Sequence, residues 1–163
     1  MEKLKKEVLG LLTENARYSD KQIADILGVT EKEATAAIKA LEDSGAIVKY
    51  AAIVNTETVY DKKVQALIEV KVAPQKLKGF DSYAEEIYCF KEVQSLYLMS
   101  GGFDLAVFVE GDSITDIAKF IAEKLSVIDG ITGVATHFIL KKYKIEGQIT
   151  RAPEEIKRQI VQA

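Results

Sequence analysis

A chain of 163 residues that is 48% hydrophobic and 29% charged holds enough apolar material for one ordinary domain or two small ones, which excludes a disordered protein. No apolar run reaches the roughly 18 residues that span a bilayer, and the N-terminus MEKLKKEV is charged where a signal peptide turns apolar, so a cytoplasmic protein is expected. The net charge of -3 does not mark a nucleic-acid partner, and the basic excess lies late in the chain: residues 1–55 hold eight Lys and Arg against nine Asp and Glu, residues 141–163 six against three.

From Glu2 to Asn15, Leu4, Val8, Leu11 and Leu12 recur at helical spacing and predict a first helix. Ser19 with Gln22 three residues on reads as a capping box, opening a second, short helix with Ile23, Ala24 and Leu27 on its apolar face and Gly28 at its end. Thr30 and Glu33 repeat the box, and Ala34, Ile38 and Leu41 stripe a third helix that Gly45 stops. Two capped helices joined by Gly28-Val29 make a helix-turn-helix. After it IVKYAAIVN, residues 47–55, is β-branched and aromatic and predicts a strand in the position of a wing, with a polar connector over 56–63.

A different rhythm follows: strand 64–72, helix 79–89, strands 93–100 and 103–110, helix 113–128 and strand 131–143. The helix faces are Phe80, Tyr83, Ala84 and Ile87 in the first, and Ile114, Ile117, Ala118, Ile121 and Leu125 in the second. The order βαββαβ predicts a ferredoxin-like α/β sandwich, so the chain as a whole is α+β: a winged helix-turn-helix over 1–55, a linker at 56–63, the sandwich over 64–147 and a helical tail from 148. Both sheet faces read as apolar, with Leu96, Leu98, Ala106 and Phe108 assigned to the face that the helices leave uncovered. Such a face calls for a second subunit, so a homodimer is expected, with a higher oligomer left open. Cys89, the only cysteine, excludes an internal disulfide, and its neighbours Tyr88 and Phe90 predict a buried thiol.

The chain resembles the leucine-responsive regulatory protein and AsnC (Lrp/AsnC) family of prokaryotic transcription regulators over nearly its whole length. ARYSDKQIADILGVT and LEDSGAIVKYAAIVN are similar to the family's helix-turn-helix and its exit, and SGGFDLAVFVEG and DGITGVATHFIL to the hairpin and final strand of its amino-acid-sensing domain. The resemblance implies that the third helix enters the major groove of double-stranded DNA, that dimers address a pseudo-palindromic site, and that the second domain dimerises and binds a small-molecule effector, commonly an amino acid. The sequence departs from the family at Ala36, Ala37 and Ala40, a stretch where members usually carry arginines that grip guanine or phosphate. What remains for DNA is Lys32, Thr35, Ala36 and Lys39 on the helix and Lys49 at the wing: lysines for phosphate, Thr35 for a base edge or a thymine methyl.

Gly101-Gly102 reads as a two-residue turn, or as open backbone that an anion can approach. Asp104 supplies a carboxylate beside it, so the two could hold the carboxylate and the ammonium of a zwitterion. Gly101 and Asp104 match the family motif, and Thr132 and Thr136 on the final strand are further hydroxyl candidates. His137 is the sole histidine and reads as a partly buried strand residue. No nucleophile elbow, P-loop or metal-spaced cluster occurs, so no enzyme activity, cofactor or metal is expected. Sirohaem decarboxylases share the architecture, but VKYAAIVN lacks the basic and histidine residues expected in their wing. The tail TRAPEEIKRQIVQA predicts a short helix. The sequence therefore reads as a DNA-binding regulator, with an amino-acid-binding or scaffolding protein that keeps a vestigial helix-turn-helix as the alternative.

Overall fold

The computed structural model describes residues 2–58, 63–73 and 79–150, in two compact units, Met1–Val54 and Asn55–Ala163. The first unit consists of α1 (Glu2–Glu14), α2 (Asp20–Leu27) and α3 (Glu31–Asp43). They close on Val8, Leu12, Ile23, Ala24, Ala34, Ala37 and Leu41, the positions that helical periodicity turns to one side. Both capping boxes are complete: Ser19 Oγ accepts from Gln22 N–H and Thr30 Oγ1 from Glu33 N–H, while each third residue's side chain accepts from the cap's own N–H. Gly28 ends α2 at φ 66°, and Gly45 follows α3 at φ 72°, a left-handed backbone that any Cβ would strain.

The Thr30 backbone and hydroxyl donate to Glu33 and hold its carboxyl below the usual value of 4.5. A lowered folded-state pKa means stabilisation that is complete above the unfolded value and lost as the pH falls through the folded one. Acid below about pH 4 is therefore expected to loosen the start of α3, and Glu33→Gln, which keeps an acceptor but no titration, to remove that loss. Melting of the two proteins at pH 7 and pH 3.5 checks it: parallel losses for both would contradict it.

Residues 48–55 differ from the expected strand. They pair with no other strand among the described residues. The composition is that of a strand, with Val48 92% exposed and Ile53 and Val54 half exposed, but a strand exists only where another backbone completes its ladder. Tyr50 anchors the segment by donating to Glu42 Oε1 at 2.9 Å.

The second unit is an antiparallel sheet in the order β2-β3-β1-β4, formed by β1 (Val64–Val72), β2 (Val93–Leu98), β3 (Leu105–Gly111) and β4 (Ile131–Phe138). The helices α4 (Phe80–Tyr88) and α5 (Ile114–Phe120) complete the βαββαβ order. Alternate β1 residues Ala66, Ile68, Val70 and Val72 join Leu105, Val107 and Val109 of β3 and Tyr83, Ile87, Ile117 and Phe120 of the helices in one core. At its third turn the expected α5 pattern changes. Residues Ile121–Leu125 form a π turn, closed by Ser126 N–H on Ile121 O, which brings Phe120 and Leu125 inward and leaves Ile114 and Ala118 exposed. No described helix is long and apolar enough to cross a membrane.

The uncovered sheet face is not the expected one in β2. Pairing of Leu96 with Val107 and of Tyr97 with Ala106 puts Leu96 on the helix side and Tyr97 on the open side, where it meets Phe108 edge to face at 5.9 Å. A register shift between Val93 and Ser95 sets this, and one residue of slip exchanges the faces of a whole strand. Leu98 also lies on the helix side and is exposed at the sheet's end. The open face is thus Tyr97, Ala106, Phe108 and Leu67 beside the polar Gln65, Glu69 and His137. His137 Nε2 lies 3.2 Å from Glu69 Oε1 and is more exposed than expected. Cys89 is exposed as well, because the buried stripe of α4 ends at Ile87.

The final strand stops at Phe138 instead of running to 143. The chain then makes a small hairpin of β5 (Lys144–Ile145) and β6 (Gln148–Ile149), turned by Glu146 at φ 44° and Gly147 at φ 82°. The expected helical tail begins within this hairpin at 148–149, and its remainder, residues 151–163, lies outside the described residues.

Candidate DNA and effector sites

In the first unit, α3 offers Lys32, Thr35, Ala36 and Lys39 on its exposed side, and Lys49 is exposed in the following segment. None of the three lysines forms an ion pair or hydrogen bond among the described residues, so each ammonium is available to a phosphate. The acids that surround them are partly engaged: Glu33 in the capping box and Glu42 by the Tyr50 hydroxyl. Thr35 is not free. Its Oγ1 donates to Asp20 Oδ2 at 2.5 Å across the turn between α2 and α3. The three alanines also divide: Ala36 is exposed, Ala40 half-buried, and Ala37 belongs to the core at 4% exposure, so an arginine there would have to leave it. Asp20 escaped the sequence reading because its partner is fifteen residues away, and an acid in a helix's first turn already has a local explanation.

In the second unit, the connection between β2 and β3 spans residues 99–104 and is closed by Met99 N–H donating to Asp104 O at 2.8 Å. The two-residue turn expected at Gly101-Gly102 is absent. Both glycines are exposed, neither has a positive φ, and a Cβ on either would meet nothing within 4 Å. Neither turn geometry nor crowding therefore requires glycine there.

Asp104 has a structural duty that the sequence did not announce. Its Oδ2 accepts from Val72 N–H at 2.9 Å and its own N–H donates to Val70 O at 3.0 Å, fastening the end of β1 beside the register shift at Lys71 and Val72. Its second oxygen, Oδ1, has no hydrogen-bond partner among the described residues and can still accept. The threonines are not brought to it. Thr132 Oγ1 donates to Lys71 O at 3.2 Å, and Thr136 pairs with Ile68 on the helix-covered side. Over the open face of the sheet lies a groove of about 570 Å³ with Tyr97, Phe108, Lys142 and Lys144 among its walls.

Comparison with known proteins agrees with both halves. The model of the Lrp/AsnC ligand binding domain matches residues 65–149, and a winged helix-turn-helix DNA-binding model matches residues 1–48. An uncharacterised HTH-type transcriptional regulator of Bacillus subtilis, YugG, is 42% identical over 156 residues, covering 95% of this chain and 94% of its own. The HTH-type transcriptional regulator LrpA of Pyrococcus abyssi is 33% identical over 139 residues, 85% of this chain and 96% of its own. Among solved structures, AsnC of Escherichia coli superposes with a TM-score of 0.68 at 20% identity, over 93% of this chain and 99% of that one. The regulator NMB0573 of Neisseria meningitidis, solved as a complex with L-Met, gives 0.66 at 23% identity over 96% and 99%. With its sandwich matched by the ligand-domain model and nearly its whole length aligned to these regulators, the chain belongs to the Lrp/AsnC family of helix-turn-helix transcription regulators.

Proposed function

We propose that this regulator binds double-stranded DNA through α3 as a cytoplasmic homodimer and responds to an amino acid at the 99–104 connection, without an enzymatic activity of its own. The observation that carries the DNA half is the completely capped α2–α3 pair whose outer side carries Lys32 and Lys39 unpaired, followed by Lys49. Lysine without arginine supplies phosphate affinity with little base discrimination, so two or more helix pairs on one duplex provide the affinity by multivalency. The apolar part of the open sheet face, Tyr97, Ala106, Phe108 and Leu67, supports the dimer. For the effector half, Asp104 Oδ1 is the acceptor for an ammonium, and the unencumbered backbone at Gly101 and Gly102 leaves room for a carboxylate. Thr132 and Thr136 drop out of this reading on their positions.

The test uses the two roles of Asp104. Asp104→Ala leaves the part-buried Val72 N–H without its acceptor and is expected to cost about 1–3 kcal/mol of stability. Asp104→Asn keeps an acceptor there and removes only the charge. An amino acid that binds the parent is expected to stabilise it by about 2.7 kcal/mol at a hundred times its Kd, and both variants to lose that shift. Melting curves with each common amino acid decide it: if Asp104→Asn keeps the full shift, Asp104 is a fastening for β1 and nothing more.

A further inference from the structure

From the hydrogen bond that joins α2 to α3 we infer that Asp20 and Thr35 act as one reading unit, which presents only acceptors to DNA and selects a base edge bearing an exocyclic amino group, cytosine N4 or adenine N6. This rests on the reading above, that α3 enters the major groove. Between Lys32 and Lys39 on that helix the exposed side chains are Glu33, which is engaged in the capping box, Thr35, and Ala36, which has no polar group. In a helix-turn-helix the N-terminal part of the second helix meets base edges while the first crosses the backbone. Thr35 lies in the N-terminal half of α3 and Asp20 is the first residue of α2.

The chemistry of the pair follows from its proton count. A threonine hydroxyl has one hydrogen, and here it is spent on Asp20 Oδ2. An ionised carboxylate has no hydrogen to give. Asp20 Oδ1 and the Thr35 lone pairs remain, all acceptors, and neither side chain has another hydrogen-bond partner among the described residues. Guanine O6 and N7 and thymine O4 are also acceptors, so they would face this unit oxygen to oxygen across a negative charge. The amino groups of cytosine and adenine are the only major-groove donors. Without Asp20, Thr35 could turn its proton toward either kind of edge; the hydrogen bond removes that freedom. With no arginine in α3 the helix has no bidentate donor for guanine, and the Asp20–Thr35 pair supplies a preference for an amino group instead.

The test is selection from random duplexes at low salt by the parent and by Asp20→Asn, Thr35→Val and Thr35→Ser. The pair is exposed to half-exposed, so all three variants are expected to fold, and a melt of each confirms it. The parent is expected to enrich a position held by cytosine or adenine on the contacted strand by about tenfold over the other bases. Thr35→Ser, which retains the hydroxyl, keeps that preference. Thr35→Val loses it, and Asp20→Asn, whose amide can donate, relaxes it toward guanine or thymine. Replacing the selected adenine by purine, or cytosine by 2-pyrimidinone, should weaken the parent about tenfold and leave Thr35→Val unchanged. If the parent enriches a site and both Thr35→Val and Asp20→Asn return the same base preferences, the inference is wrong while DNA binding stands. If the parent enriches nothing, both fall together.

Discussion

Gly130→Ala is expected to lower the melting temperature of the second unit by about 10 °C or more, the largest effect expected of a methyl added at any of the ten glycines. Gly130 has φ +92°, where an L side chain is strained by about 1–3 kcal/mol. Its new Cβ would also lie 2.1 Å from the Tyr83 hydroxyl and 2.9 Å from the ring carbon that bears it. Tyr83 cannot yield at small cost. It is 1% exposed in the core, its hydroxyl donates to Ala73 O at 3.2 Å, and Ala73 N–H in turn donates to Gly130 O at 2.8 Å. Moving the ring breaks this closed arrangement at the start of β4, adding about 1–3 kcal/mol to the backbone strain. Gly133→Ala is the control: its Cβ meets nothing and its φ is not positive, so a change within about 1 kcal/mol is expected. Tyr83→Phe should reduce the damage of Gly130→Ala only in part, since the ring carbons remain close. Equal melting of Gly130→Ala and Gly133→Ala would refute the close approach.

Features decided within a few residues were legible in the sequence. Ser19 with Gln22, Thr30 with Glu33, and the left-handed Gly28 and Gly45 set the helix-turn-helix because a cap is a local hydrogen-bond problem. The central strand could be read to its ends, since an alternating apolar run buried on one side has one solution. What failed was set by distant partners. The face of β2 depended on a register shift against β3, and the stripe of α5 on a π turn that 3.6-residue periodicity does not contain. The segment 48–55 has strand composition, but among the described residues no strand pairs with it. The same holds for the sites. Asp104 could be read as a charge, yet its bond to Val72 is made thirty-two residues away, and nothing near Thr35 announces Asp20. Ala37 stands in the sequence with Ala36 and Ala40 as a departure from the family's arginines, while its place in the core of the first unit requires a small residue.

Affinity for DNA is expected to fall about 10³-fold between 50 and 200 mM salt. Lys32, Lys39 and Lys49 give three phosphate contacts in each protomer and, in a dimer, about six, each of which releases a counterion. Lys39→Glu should weaken binding to selected and unrelated duplexes by similar factors, because a phosphate contact has no sequence content, and it should flatten the salt slope. Glu33, Glu42 and Asp20 keep their charges but are held by hydrogen bonds from Thr30, Tyr50 and Thr35, while Lys32 and Lys39 have no partner among the described residues and are free to reach phosphates. A variant that loses affinity for one sequence only would show instead that Lys39 touches a base.

The most direct measurement of the central claim is the sequence that the parent protein recovers from a pool of random duplexes at low salt, with and without the common amino acids. A dimer that presents two α3 helices predicts a two-fold symmetric site, with half-sites separated by one helical turn, about 10 base pairs, or a multiple of it. Recovery of no sequence above the starting pool under any of these conditions would contradict it, and would leave a sensing protein that has kept the shape of a DNA reader.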